Sequence, residues 1–120
     1  MEVKWIEHRY KKIHLIDYSG LILERDMLSL LNAIPTFLPN VGNEPILVLT
    51  DITGCFLTPG FIDAAKKQRL ELSNKYQIKQ AIVGAVGAKV ILLKVFNLVF
   101  KNKITPFSNH TEALNYLTKD

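Results

Sequence analysis

Cysteine is almost missing from this chain of 120 residues, where Cys55 stands alone. An internal disulfide is therefore excluded, and with it a scaffold stapled by crosslinks. A strong charge of either sign is missing too. The formal net charge of +4 is mild beside the basic face that a nucleic-acid binder concentrates. No apolar run is long enough to span a bilayer: residues 90–100, the most apolar stretch, are interrupted by Lys94 and Asn97. The opening Met-Glu-Val-Lys-Trp-Ile-Glu-His-Arg alternates rather than passing from a basic to an apolar region, so no signal peptide is read there. A cytoplasmic location is expected.

Familiar catalytic patterns are lacking as well. Glycines 20, 54, 60, 84 and 87 form neither a dinucleotide fingerprint nor a phosphate-binding loop. Ser19, Ser29, Ser73 and Ser108 have no nucleophile-elbow context. His8, His14 and His110 fall on separate elements, without the spacing of metal ligands. No metal and no cofactor is expected. What remains is 48% hydrophobic and 22% charged residues, the profile of one soluble globular domain over residues 1–120.

The layout centres on residues 45–60, where an apolar strand stops at Asp51 and a short loop leads to a helix beginning at Thr58. Before it, residues 3–8 alternate apolar and charged side chains, as a strand with one wet face does. A tight reversal at Tyr10-Lys11-Lys12 then makes residues 13–18 its antiparallel partner. Leu23, Met27, Leu30, Leu31 and Ile34 recur at helical spacing. Pro35 ends that helix, and Pro39-Asn40 with Gly42-Asn43 closes the segment as loop. Residues 46–49 read as a central strand covered on both faces.

Thr58-Pro59-Gly60 is a helix start, with Thr as N-cap and Pro at the first turn. The stripe of that helix is Phe61, Ala65, Leu72 and Tyr76, with Lys66, Lys67, Arg69 and Glu71 on a polar surface. A strand over 78–83 follows, then a helix over 88–101, a short strand over 103–107, and a last helix capped by Asn109 with Glu112 three residues on. Ala113, Leu114 and Leu117 pack it. The order ββαβαβαβα implies a single, mostly parallel sheet with an antiparallel N-terminal hairpin strand, an α/β fold with right-handed crossovers.

The run Leu47-Val48-Leu49-Thr50-Asp51-Ile52-Thr53-Gly54 is similar to the strand ending in Asp-Leu-Ser-Gly of STAS domains, the anti-sigma-factor antagonist fold. Leu57-Thr58-Pro59-Gly60 stands where that family carries Asp-Ser-Ser-Gly, and Pro106-Phe107 with Glu112-Ala113-Leu114 also resembles its stand-alone bacterial members. The resemblance implies a non-enzymatic regulatory module that docks a protein partner such as a kinase. It makes Thr58 the candidate phosphoacceptor, and Asp51, Thr53, Gly54, Thr58 and Gly60 the partner-binding rim. Leu57 and Pro59 depart from the family pattern, and the plain alternative is that Thr58 is an N-cap and no more.

The helix over 88–101 carries an apolar arc wider than a surface helix needs. Its surplus, assigned to Phe96, Val99 and Phe100, is expected to meet a second copy of the chain, a lipid-like ligand or a membrane surface. A homodimer is the first choice, and a carrier of a small apolar ligand is the competing class. A third reading is an enzyme using Asp17, Asp51 and Thr53 at the strand ends. Lys66, Lys67, Arg69, Lys75 and Lys79 are interrupted by the acidic Glu71, so they read as a solvated helix face and no nucleic-acid partner is expected. Cys55 reads as a loop-packing residue.

Overall fold

The expected order holds in a computed structural model, which describes residues 2–38 and 44–119. The elements are β1 (Glu2–His8), β2 (Lys11–Asp17), α1 (Glu24–Ala33), β3 (Ile46–Asp51), α2 (Pro59–Ser73), β4 (Ile78–Val83), α3 (Ala88–Asn97), β5 (Thr105–Phe107) and α4 (His110–Thr118). The loop expected at Pro39-Asn40 and Gly42-Asn43 lies outside the described residues. Past α1 the chain tightens into a 3-10 turn, Ile34–Phe37, because Pro35 has no N–H with which to continue the α-helical ladder.

The strands lie side by side in chain order. β1 pairs antiparallel with β2, and β2 through β5 are parallel. Right-handed crossovers between neighbouring parallel strands put every connecting helix on the same face. That face buries Ile16, Met27, Leu31, Ile46, Val48, Phe61, Ile78, Ile82 and Leu93 together. Among the described residues α4 alone covers the opposite face, and there Ile13, Leu49 and Ala81 meet Ala113 and Leu117. Alternation along each strand divides the side chains between these two cores.

The hairpin turns at Arg9-Tyr10, one residue earlier than expected, because His8 pairs with Lys11. Both turn residues have positive φ, 50° and 67°, as a two-residue primed turn requires. Neither is of a type that adopts this conformation readily, and Tyr10 is 96% exposed, so no packing repays it. Replacing the pair with Asn-Gly (R9N with Y10G) is expected to stabilise the fold by about 1 kcal/mol, a rise in Tm of about 3–6 °C. An unchanged melting curve would remove the argument.

α3 ends four residues short of the expected Lys101. Asn97 stops it: its side-chain amide donates to the Ile104 carbonyl at 2.9 Å and accepts from the Ile104 N–H at 2.9 Å. Lys103 adds a bond to the Asn97 carbonyl at 2.6 Å. This clamp reverses the chain and swings Phe100 inward to 4% exposure. The final strand is correspondingly shorter than 103–107.

Candidate functional site

The strand ends form a rim. Asp17 and Asp51 are register partners on β2 and β3. Each accepts from a backbone N–H two residues on, Ser19 at 2.9 Å and Thr53 at 2.8 Å, the Asx turn that short carboxylates favour. Asp51 also meets His110 Nε2 at 2.7 Å, which ties the start of α4 to the rim. Partial burial would raise the pKa of Asp51, but hydrogen bonds from Thr53 and from His110 outweigh it and leave the carboxyl below its usual range. Cys55 is buried in the core, and burial pushes its thiol pKa up, the opposite of a reactive thiolate.

The structure separates the expected rim residues into two neighbourhoods. Thr53 and Gly54 lie against the other strand exits: Gly20 donates to the Thr53 carbonyl at 2.9 Å, and Gly84 presses on the Thr53 backbone. Thr58 and Gly60 instead face α1. The Thr58 hydroxyl accepts from Phe61 N–H at 3.2 Å, the N-cap bond, and donates to the Glu24 carboxylate. Glu24 thus occupies the space a phosphate on Thr58 would enter.

Around the rim, Ile22, Leu23, Phe56 and Val86 are exposed. On α3 and the turn after it the apolar surplus is real, but of the three residues expected only Val99 belongs to it. Phe100 belongs to the core and Phe96 is half-buried against it, whereas Ile91, Val95, Leu98 and Val99 face outward. Leu93 is the one buried residue of α3.

The more distinctive site lies beneath the helices. A cavity of about 140 Å³ opens between the sheet and α1, α2 and α3. Its walls are largely apolar: Ile16, Val48, Phe61, Leu72, Ile82 and Leu93 are among them. Polar side chains interrupt that wall, and sequence reasoning assigned none of the four buried deepest in it or bonded to them, Arg69, Gln80, Thr50 and His14, to a site. Arg69, expected on a solvated face, is 7% exposed. Its Nε donates to Gln80 Oε1 at 2.9 Å, and Gln80 Nε2 donates on to Thr50 Oγ1 at 2.9 Å. The guanidinium also reaches Ser73 Oγ at 2.6 Å and the Asn102 carbonyl at 3.3 Å, and it lies 5.2 Å from the Phe100 ring centroid.

His14 is the fourth. It is 2% exposed, its ring centroid lies 3.5 Å from that of Trp5, and its Nδ1 has no hydrogen-bond partner. Burial lowers its pKa to about 4, so the imidazole is neutral at pH 7. Register puts His14, Val48 and Gln80 in one lateral row across β2, β3 and β4. The signal for Arg69 was in the sequence: it fills the gap between Ala65 and Leu72 in the α2 stripe, where a core-facing residue belongs.

No helix among the described residues is long and apolar enough to cross a membrane. No protein-family model matches the chain, and no curated protein does. Among solved structures it is similar to an uncharacterized DUF3478-family protein from Shewanella loihica PV-4 described as having a SpoIIAA-like fold, with a TM-score of 0.71 and 19% identity over 96% of this chain and 91% of that one. At that identity the likeness is one of fold, and it agrees with the strand order, the hairpin and the helix placement described above: the chain has a SpoIIAA-like, STAS-type fold.

Proposed function

We propose that this chain is a non-catalytic binding module that holds a small, mainly apolar ligand between its sheet and the three helices of one face. The observation that carries this reading is the cavity of about 140 Å³. It is comparable to the ~150 Å³ apolar cavities that stay dry and take up benzene. The rim supports a non-catalytic role, since Asp51 is engaged by Thr53 and His110 and Cys55 is buried. Thermal unfolding with and without dissolved benzene tests the reading. Binding to the folded state raises Tm, and Ala65→Leu, which fills the cavity wall, removes the response. A wild-type Tm indifferent to benzene overturns it.

Docking to a second copy is the companion reading, and the outer face of α3 favours it. Leu98 is 78% and Ile91 66% exposed, and with Val95 and Val99 they form an apolar strip of the kind that association covers. Sedimentation velocity is expected to show a dimer that Leu98→Asp converts to monomer. A wild-type monomer at high concentration overturns it. Phosphate switching at Thr58 has weaker support, because the added charge would face Glu24.

A further inference from the structure

An arginine buried in the wall of an apolar cavity needs an account of its charge. The guanidinium stays protonated in proteins, and burying an unpaired cation is costly. Among the described residues Arg69 has no carboxylate partner; its acceptors are the neutral Gln80, Ser73 and Asn102 oxygens. Those bonds engage three of its five N–H donors. Across the same sheet face stands the second anomaly, the buried His14 with an unpartnered Nδ1, two strands from Gln80 and so roughly 10 Å away. A fold optimised for stability alone would fill both positions with apolar side chains.

We infer that the cavity ligand is a small carboxylic acid with an apolar body, bound with its carboxylate on Arg69 and its body along Val48 and Ile82. The inference rests on the cavity reading above and adds the ligand's chemical class. The carboxylate supplies the missing counter-charge through the free guanidinium N–H groups, a charge-assisted contact stronger than a neutral one. At about 140 Å³ the cavity limits the body to about the size of a benzene ring. Lys89 also lines the cavity, but its ammonium donates to the Ile52 carbonyl at 3.1 Å and is only half-buried. It is therefore the weaker anchor.

Titration of the 15N-labelled protein with benzoate, and separately with benzyl alcohol, separates the two levels of the argument. Benzoate is expected to bind at least tenfold more tightly, shifting amides of the cavity wall such as Val48, Leu72 and Leu93. Arg69→Met is expected to remove that preference while keeping the alcohol site, and Lys89→Met to leave the preference intact. Equal binding of acid and alcohol by the wild type would overturn the carboxylate while leaving the cavity reading standing, and binding of neither would sink both. Loss of the preference in Lys89→Met but not in Arg69→Met would overturn the anchor. Should Arg69→Met fail to fold, the wild-type pair of ligands still decides on the carboxylate, and Lys89→Met decides on the anchor, since loss of the preference there would overturn it.

Discussion

Replacing Gly84 with alanine is expected to destabilise the protein by on the order of 3 kcal/mol or more. Gly84 leaves β4 with φ +95°, and a Cβ there would lie 2.7 Å from Thr53 Cα and 2.6 Å from Thr53 Oγ1. The Oγ1 could turn about χ1, but the Cα cannot move aside as the end of a long side chain could. The Thr53 backbone is held by its bonds to Asp51 and Gly20, so relief requires the β3–α2 loop to move as a unit. Gly87→Ala supplies the control. Its φ of +61° goes with ψ −131°, a region that residues other than glycine rarely enter, but there is open space where the Cβ would go, so only the conformational cost of about 1–3 kcal/mol remains. Chemical denaturation of the two variants separates steric contact from backbone preference, and equal losses would refute the close approach.

Acid is expected to weaken the fold through His14. The folded-state pKa is about 4 against an ordinary value of 6.5, so between these limits the unfolded chain binds more protons than the folded one. Stability from this residue is complete above about pH 6.5, declines as pH falls, and levels off once pH drops below the folded value. Linkage puts the loss at about 2 kcal/mol between pH 7 and pH 5. His14→Leu removes both the titration and the unpartnered Nδ1. It is expected to flatten stability over this range and to be neutral or stabilising at pH 7. A wild-type stability as flat as that of the variant would show that the imidazole is hydrated in the folded state.

Much of the fold was legible because its signals are local. Alternation in β1, the apolar run of β3, Pro35, Thr58-Pro59 and the Asn109-Glu112 pair each constrain a few residues, and each element formed where they indicated. The end of α3 was not legible in the same way. Nothing in the period of residues 88–101 distinguishes Asn97 from a solvated helix residue, and only the return of the chain to Ile104 gives it two partners. The fate of Phe100 followed from that clamp.

The site was hidden for a related reason. Polarity suggests exposure and so hides Arg69, whose spacing puts it inside, and the lack of metal-ligand spacing says nothing of the depth of His14. Thr50 and Gln80 sit in alternating rows that are otherwise apolar. Their joining to Arg69 depends on the register of β3 against β4, which no single segment encodes. The turn-fixing bond of Asp51, by contrast, is decided within two residues.

The brevity of β5 has a consequence for self-association. With three residues and Pro106 at its middle, the strand offers little backbone for another chain to pair with. Among the described residues, β1 is then the one long border at which a sheet could be extended. Two copies joined there would consume each other's free border, and further growth would have nowhere to begin. Such pairing closes at two copies instead of propagating into a fibre.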